Sequence, residues 1–182
     1  MEIFFEGIVL RPWAISDVSK LAKIANNKKI AENVHDGFPF PYSVRDAQDW
    51  LNIILLKNNP PRFFAIIFDK QLVGNIGIIA KTNIYRKNLE IGFFISEDFW
   101  GKGIATRAIK AAASYAFREF NIARVYAEAF SDNTGSRKAL EKAGFKLEAT
   151  LKKSIIKNEV IKDSWIYSVL REEFKSEIGS RY

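Results

Sequence analysis

Cysteine is absent from this chain of 182 residues, and histidine and methionine occur once each. The absence of cysteine excludes disulfides, thiolate metal sites and a cysteine nucleophile. The single histidine, His35, argues against a histidine-based metal cluster. We therefore expect no metal cofactor.

Long hydrophobic runs are also missing. No uncharged apolar stretch approaches the ~20 residues that a transmembrane helix needs. The chain begins Met-Glu-Ile-Phe-Phe-Glu, an acidic start that differs from the basic one of a signal peptide. We therefore expect a cytoplasmic protein with no membrane partner.

Hydrophobic residues nevertheless make up 48% of the chain, and 15 of them are phenylalanine. This composition is typical of a folded protein, and the length suits one domain with a substantial core. The sequence has no domain-scale linker, internal repeat or low-complexity stretch. We expect a domain over residues 1–175 and a frayed tail over residues 176–182.

The formal net charge of +7 favours an anionic partner, such as nucleic acid, a ribosome surface or coenzyme A. The lysine and arginine residues are scattered and form no basic tail. Much of the charge is therefore typical of a solvated surface, and it does not select among these partners.

Apolar spacing predicts both strands and helices. The expected strands are at residues 3–13, 63–68, 72–81, 88–96, 124–130, 145–156 and 161–170. The expected helices run from 16 or 17 to about 26, from a capping box at 43–46 to the Asn-Asn-Pro-Pro stretch at 58–61, from 104 to 120, and over 134–143. The segment from 26 to 42 is expected to be irregular. A helix between the strands at 88–96 and 124–130 predicts a parallel crossover, and the short connections elsewhere predict antiparallel pairs.

The strongest chemical signal lies between Leu89 and Phe145. This stretch predicts a strand, a glycine-rich turn, a helix, a strand and a helix. Gly101 and Gly103 allow the backbone to approach a ligand, and the next helix begins with unpaired N–H groups and a partial positive charge, which suits a pyrophosphate. A plain strand-to-helix turn stays open, because Thr106 stands where the dinucleotide fingerprint has its third glycine.

Several segments resemble one enzyme family. Trp100-Gly-Lys-Gly-Ile-Ala105 resembles the acetyl-coenzyme A loop of the GCN5-related N-acetyltransferases (the GNAT family), whose pattern is Gln/Arg-x-x-Gly-x-Gly/Ala. Asn133-x-x-Ser136 and the following Leu140-Glu-Lys-Ala-Gly-Phe145 resemble the branch with the ribosomal-protein-alanine N-acetyltransferases. Three further segments also resemble this branch: Leu10–Trp13, Pro39–Tyr42 and Leu72–Gly77. The resemblance therefore covers roughly residues 7–172.

Two positions depart from the family pattern. Trp100 stands where glutamine or arginine is usual. Leu140 stands where many family members carry a tyrosine that acts as general acid, so this chain cannot use that tyrosine.

The resemblance implies an α/β fold, with a mixed, mostly antiparallel sheet of about seven strands flanked by about four helices. It also implies acetyl-coenzyme A (acetyl-CoA) as cosubstrate and direct attack of a primary amine on the thioester in a ternary complex. The branch favours a protein N-terminal α-amine, with a polyamine or a small-molecule amine as the alternative. A non-enzymatic basic module that binds RNA or the ribosome stays open, and so does a homodimer.

For the coenzyme, the resemblance implies a path between the strands at 88–96 and 124–130, with the pyrophosphate at the glycine loop (residues 101–106). A backbone N–H near residues 94–96 would polarise the thioester carbonyl. The implied coenzyme-binding residues are Phe94, Ile95, Ser96, Gly101, Lys102, Gly103, Ile104, Ala105, Thr106 and Asn133. Lys102 and Arg107 are alternatively two solvated cations that only enrich the local field.

Ser136 and Glu90 are the candidate catalytic residues. Ser136 shares a helical face with apolar residues at i+3, i+4 and i+7, which places it on the inward side. The resemblance implies that Ser136 assists the departing thiolate; the alternative is a bond from its hydroxyl to the carbonyl of Asp132. Glu90 is implied to accept the proton of the amine, and the alternative is a solvent-facing or ion-paired carboxylate.

The resemblance places the acceptor against the first two helices and their connection, at His35, Phe38, Tyr42 and Trp50. Trp50 is alternatively a core residue and His35 a surface one. An α-amine has a reference pKa near ~7.8 and lysine near ~10.4, so near neutral pH only roughly one lysine in a thousand is free base. Because the sequence shows no evident histidine base, an α-amine is the acceptor that needs least help from this site to lose its proton.

Overall fold

Eight strands and five α-helices are present in the computed structural model, which describes residues 1–56 and 59–174. The strands are β1 (Ile3–Phe5), β2 (Ile8–Pro12), β3 (Phe63–Phe68), β4 (Gln71–Ala80), β5 (Asn88–Ile95), β6 (Arg124–Phe130), β7 (Lys146–Lys157) and β8 (Val160–Leu170). The helices are α1 (Val18–Ala25), α2 (Lys28–Ala31), α3 (Val44–Leu55), α4 (Ile104–Glu119) and α5 (Thr134–Lys142). The strands form one sheet in the order β1-β2-β3-β4-β5-β6-β8-β7.

The predicted α/β class and the mostly antiparallel sheet are confirmed, with one more strand and one more helix than expected. The extra strand arises because Glu6 and Gly7 adopt positive φ angles of 43° and 81°, which folds the first strand into a hairpin. The extra helix, α2, lies in the segment that was expected to be irregular. Asn27 caps it by accepting a hydrogen bond from the Ile30 N–H at 3.1 Å.

A side-chain hydrogen-bonding pattern marks the start of α3 but not that of α1. Ser43 and Asp46 form the predicted capping box: Ser43 Oγ accepts from the Asp46 N–H (3.2 Å), and the Asp46 carboxylate accepts from the Ser43 N–H (2.7 Å). Asp17, in contrast, makes no side-chain cap for α1. Its carboxylate accepts two hydrogen bonds from Arg11 (2.7 and 2.8 Å) and one from the Ala14 N–H (3.0 Å), which joins β2 to the start of α1.

Two expected boundaries involve residues that the structure leaves out. The expected end of the second helix at 58–61 lies partly outside the described residues, and α3 ends at Leu55. The expected tail at 176–182 lies wholly outside them. In the described ranges, no helix has the combined length and apolarity that crossing a membrane requires.

Different helices cover the two faces of the sheet. Phe64 and Ile66 of β3 pack in one buried cluster with α4 and α5, whereas the intervening Ala65 packs with α1 and α3. The helix α4 lies close to the sheet because its inward stripe is rich in alanine, as the sequence predicts. Tyr115 on α4 is fully buried, and its hydroxyl donates to the Pro61 carbonyl (2.8 Å).

The strands β5 and β6 separate halfway along their length. They pair in parallel only where residues 88–90 meet residues 124–126, although β5 continues to Ile95 and β6 to Phe130. The predicted parallel crossover is therefore confirmed. Beyond Glu90 the two strands leave an opening between their carboxyl ends, which we call the β5–β6 gap.

Candidate active site

A cleft of about 910 Å³ opens on the face of the sheet that α1 and α3 cover. It is bounded by β4, β5 and β6, by the α2–α3 connection with α3, by α5, and by the end of β7. All six predicted catalytic and acceptor-binding residues line it: Glu90, Ser136, His35, Phe38, Tyr42 and Trp50. Phe94 and Asn133 also line it, whereas Ile95, Ser96 and the glycine loop do not. The cleft therefore brings together the predicted catalytic and acceptor-binding residues and does not include the glycine loop.

Alternation in the β4–β5 ladder decides which amides of β5 face the β5–β6 gap. The Ser96 N–H donates to the Val73 carbonyl (2.7 Å), so it is used inside the sheet. Because hydrogen-bonding directions alternate along a strand, the N–H groups of Phe93 and Ile95 point the other way, toward the gap. The indole N–H of Trp100 donates to the Ile95 carbonyl (2.7 Å). Among residues 94–96, Ile95 is thus the one whose N–H faces the gap.

The glycine loop has the backbone conformation that its glycines predict. Gly101 and Gly103 have φ angles of 76° and 70°, a left-handed region that favours glycine. Apart from the residue itself and its two chain neighbours, no described heavy atom lies within 4 Å of the position that a Cβ would take at either residue. The positive φ angle, and not a lack of space, is therefore what favours glycine here. Gly103 is the N-cap of α4, whose first N–H groups lack intrahelical partners.

The two cations of this turn have partners in the protein. The Lys102 ammonium lies 4.7 Å from the centre of the Phe99 ring. The Arg107 guanidinium donates to backbone carbonyls and lies 5.2 Å from the centre of the Phe68 ring. The alternative that Arg107 is simply a solvated cation is therefore wrong.

Ser136 lies in the first turn of α5 and lines the cleft. Asn133 caps this helix, as predicted, with its Oδ1 accepting from the Ser136 N–H (3.0 Å). Ala139 and Leu140 on the same face are buried, which confirms the inward orientation. Within residues 1–56 and 59–174, the Ser136 hydroxyl makes no hydrogen bond to the Asp132 carbonyl, so the hydroxyl is left for a group in the cleft.

Glu90 lines the cleft and also belongs to an ion pair. Its Oε2 accepts hydrogen bonds from the Lys81 ammonium (2.5 Å) and the Tyr126 hydroxyl (3.2 Å). The bond to Glu90, with a further one to Tyr126, raises the pKa of Lys81, and burial raises the pKa of Tyr126. A proton taken up by Glu90 would therefore disturb an established ion pair.

A second carboxylate, Glu128, lines the cleft and is missed by the sequence reasoning. It lies two residues after Tyr126 on β6, and Tyr126 is the register partner of Glu90, so both carboxylates occupy one face of the sheet. The Glu128 Oε1 accepts from the hydroxyl of buried Ser164 (2.5 Å), which also contacts the Ser154 hydroxyl (2.8 Å). Strand alternation marks Glu128 as a polar face residue, but only the β5–β6 register brings it near Glu90.

Aromatic side chains form the wall that belongs to the α2–α3 connection and α3. The Phe38 ring contacts Tyr42 and Phe94, with centroids 4.8 and 5.6 Å apart. Trp50 packs edge-on against Trp13 (5.6 Å), so it joins the core and lines the cleft at once. Burial, together with the nearby charge of Asp46, raises the pKa of Tyr42 to about 12, which keeps its hydroxyl protonated.

An ion pair bridges the entrance to the cleft. Lys157, at the end of β7, donates to Asp36 in the α2–α3 connection at 2.9 Å. The Lys157 side chain is 8% exposed, whereas that of Asp36 is 79% exposed. The neighbouring His35 is also exposed, so this predicted acceptor residue lies at the outer edge of the cleft.

Asn75 on β4 is oriented by a buried tryptophan. The indole N–H of Trp13 donates to Asn75 Oδ1 at 2.9 Å. Because an indole nitrogen can only donate, the amide oxygen must be the atom that faces it. Asn75 lines the cleft, so its amide nitrogen is the group left for a ligand there.

The sequence matches the family model "Acetyltransferase (GNAT) domain" over residues 8–146, most of the chain. The chain belongs to the GNAT acetyltransferase family.

Individual relatives of this GNAT domain differ in how much of their length it covers. The N-acetyltransferase YoaA of Bacillus subtilis is 33% identical over 102 residues, which are 56% of this chain and 57% of YoaA, so the match spans little more than half of that protein. The spermidine N(1)-acetyltransferase of Escherichia coli K12 is 26% identical over 145 residues, 80% of this chain and 76% of that protein. Among solved structures, RimL, a ribosomal L7/L12 alpha-N-protein acetyltransferase in complex with coenzyme A, superposes with a TM-score of 0.84 at 21% identity, covering 93% of this chain and 98% of RimL. That likeness concerns the fold alone.

The structure shows where the two residues that depart from the GNAT pattern lie and what they contact. Trp100 uses its indole N–H to hold the Ile95 carbonyl, which fixes the end of β5 beside the gap. Leu140 is fully buried at the inner side of the cleft. Ser136, one helical turn earlier on α5, is the residue of that helix that brings a hydroxyl to the cleft.

Proposed function

We propose that this GNAT domain transfers the acetyl group of acetyl-CoA to a primary amine, and that the preferred amine is the N-terminal α-amine of a protein. The residues present fit the donor: the β5–β6 gap offers the outward N–H of Ile95, and the glycine loop offers the first amides of α4 to a pyrophosphate. Asn133 and Ser136, at the start of α5, line the adjoining cleft. Acetyl-CoA supplies an activated thioester when bound.

The reaction proposed is a direct displacement. The amine lone pair attacks the thioester carbonyl carbon, the carbon–sulfur bond breaks, and the sulfur leaves as a thiolate. The Ile95 N–H would stabilise the oxyanion, and the Ser136 hydroxyl would donate to the departing sulfur, directly or through a water. A carboxylate in the cleft takes the proton that the amine loses.

Glu128 is the better placed of the two carboxylates to take that proton. Glu90 already holds the Lys81 ammonium on Oε2, and protonation of Glu90 would weaken that pair. Among the described residues, the one hydrogen-bond partner of the Glu128 carboxylate is a neutral hydroxyl, that of Ser164, at Oε1. Protonation of Glu128 therefore breaks no ion pair, and Glu128 keeps its hydrogen bond with the Ser164 hydroxyl.

The orientation of Asn75 is the observation that favours a peptide N-terminus as the acceptor. With Oδ1 fixed by Trp13, the side chain presents N–H donors to the cleft. A peptide N-terminus has a carbonyl one carbon away from its amine and can accept such a hydrogen bond. A polyamine carries only amines, which are protonated in water and cannot accept it.

A polyamine is nevertheless the second candidate, because carboxylates outnumber cations around the cleft. Asp36, Asp46, Asp49, Glu90 and Glu128 line it, in a chain whose net charge is +7. This local excess of negative charge would attract an extended cation. The spermidine N(1)-acetyltransferase relative supports the same alternative.

Matched acceptors separate the two candidates. With acetyl-CoA as donor, a tri-alanine peptide amide, spermidine and propylamine would be compared in the wild type and in Asn75→Leu. We expect the peptide to be the best substrate and Asn75→Leu to raise its KM about tenfold, the loss of one hydrogen bond, while the KM of propylamine changes less than about twofold. Spermidine preferred over the peptide, with no effect of Asn75→Leu, would reverse the order of the candidates.

Calorimetric titration with acetyl-CoA, coenzyme A and NAD tests the donor. We expect binding of both coenzyme A forms and none of NAD. If none of the three ligands binds, the enzymatic proposal is removed. A steep salt dependence of RNA binding would then favour the non-enzymatic basic module that binds RNA or the ribosome.

A further inference from the structure

The Arg107 guanidinium group donates hydrogen bonds to backbone carbonyls around it. From the first turn of α4, Nη1 donates to the Glu6 carbonyl (2.7 Å) and Nη2 to the Lys102 carbonyl (3.0 Å). Nε lies 3.4 Å from the Gly103 carbonyl, which also accepts the Arg107 backbone N–H at 3.2 Å. The side chain thus links two consecutive carbonyls of the glycine loop to the turn between β1 and β2, 101 residues away in sequence.

The direction of these carbonyls fixes the direction of two amides. In a planar trans peptide the C=O of one residue and the N–H of the next point opposite ways. Because the carbonyls of Lys102 and Gly103 face Arg107, the N–H groups of Gly103 and Ile104 face away from it. Neither N–H donates to another group in the part of the chain that the structure describes. They are the amides nearest to the N-cap of α4, where an anion is most favoured.

We propose that Arg107 is a positioning residue for the donor, which holds the glycine loop so that the Gly103 and Ile104 N–H groups are aimed at the coenzyme pyrophosphate before it binds. This inference rests on the proposed use of acetyl-CoA. Two glycines with positive φ give the loop many accessible conformations, and fixing them at the moment of binding would weaken affinity. Arg107 fixes them in the free protein.

The guanidinium group suits this task better than an ammonium. Its five N–H donors lie in a rigid plane, so one side chain can hold the Glu6 and Lys102 carbonyls at a set distance from each other. The Phe68 ring lies beside that plane, 5.2 Å from the guanidinium carbon. Gly7, in the turn that Nη1 contacts, has a φ angle of 81°, so this turn has the left-handed backbone that favours glycine. A lysine keeps the charge but loses this geometry.

The test compares Arg107→Met, Arg107→Lys and a matched control, Arg118→Met. Arg118 lies near the other end of α4 and pairs with Glu119, far from the loop. Affinity for coenzyme A would be measured by calorimetry, and amide hydrogen exchange would be measured without ligand. We expect Arg107→Met to weaken coenzyme A binding about tenfold. We also expect it to accelerate exchange of the residue 107 amide, which is the first hydrogen-bonded amide of α4 and donates to the Gly103 carbonyl of the glycine loop, while the rest of α4 keeps its protection. Arg107→Lys should recover only part of the affinity, and Arg118→Met should change neither quantity.

Each other result overturns the inference in a recognisable way. Unchanged coenzyme A affinity in Arg107→Met would mean that the loop needs no support. Full recovery by Arg107→Lys would mean that charge alone acts, through the long-range field. Exchange that accelerates across the whole domain would make Arg107 a general stability residue. If the wild type fails to bind coenzyme A, the proposed function fails first; if the wild type binds and the variants bind equally, only this inference fails.

Discussion

The proposed donor end and the proposed acceptor end of the site are built by different means. At the donor end the groups offered to a ligand are backbone amides of β5 and of the glycine loop, all within residues 93–106. At the acceptor end they are side chains from several elements, brought together by contacts such as Trp13 with Asn75, 62 residues apart, and Asp36 with Lys157, 121 residues apart. A backbone site tolerates most side-chain changes, whereas a side-chain site changes its chemistry with single substitutions. The same framework can therefore keep one donor while its acceptor varies.

The most damaging change to the donor end is expected from Gly103→Asp. The φ angle of 70° favours glycine, and the carboxylate would stand where a pyrophosphate is proposed to bind, at the N-terminus of α4. We expect coenzyme A affinity to fall by more than about a hundredfold, or about 2.7 kcal/mol. Gly103→Asn is the matched control, since asparagine has the same shape without the charge and tolerates positive φ. Calorimetry that finds near-normal binding by Gly103→Asp would remove the glycine loop from the donor site.

At the acceptor end, the largest effect is expected from Glu128→Gln. Removing a general base typically lowers turnover by about 10²–10⁴-fold, and we expect about a hundredfold here because an α-amine is partly deprotonated already. Glu90→Gln should have a smaller effect, because Glu90 is engaged with Lys81. Steady-state kcat at saturating acetyl-CoA distinguishes them. The reverse order would return the role of base to Glu90.

The contrast between the two ends also explains what the sequence could predict. The loop, α4 and the Asn133 cap of α5 follow from residues that are neighbours in the chain, so local pattern was sufficient for them. Glu128 and Asn75 were missed because strand register places Glu128 at the cleft and a distant tryptophan orients Asn75 there. The small helix α2 was missed because four residues carry no readable period.

Ser136→Ala tests whether α5 contributes chemistry at the junction of the two ends. Ser136 lines the cleft, and the helix is capped by Asn133, so alanine should leave the fold and the donor affinity unchanged. We expect kcat to fall about tenfold through the loss of one hydrogen bond to the leaving sulfur. Thr134→Ala, on the exposed side of the same helical turn, is the control. Equal kcat in wild type and Ser136→Ala would make Ser136 a structural residue.

The pH dependence of kcat/KM bears on the acceptor alone. If the substrate is an α-amine, the rate should rise with pH and level off near ~7.8, where the free base becomes the major form. A lysine or alkylamine acceptor would keep the rate rising toward ~10.4. The Tyr42 pKa of about 12 lies above this window, so its titration does not confuse the profile. A rate independent of pH between 6 and 9 would indicate that amine deprotonation does not limit the reaction.

The smallest effect is expected at the entrance of the cleft, from Asp36→Asn. Lys157 is mostly buried and Asp36 mostly exposed, so losing the carboxylate leaves an unpaired ammonium beside the path of a cationic acceptor. Because Asp36 is solvated, the pair itself contributes little, and we expect only about a threefold rise in acceptor KM with donor affinity unchanged. Lys157→Met should not raise acceptor KM, since it removes the repelling charge. Lys146→Met, which breaks the Lys146–Glu173 pair (2.7 Å) at the other end of β7, is the control. If Asp36→Asn and Lys157→Met raise acceptor KM equally, the ion pair acts by holding the shape of the entrance. If only Asp36→Asn raises it, the charge of Lys157 repels cationic acceptors, and the two ends of the site differ in electrostatics as well as in construction.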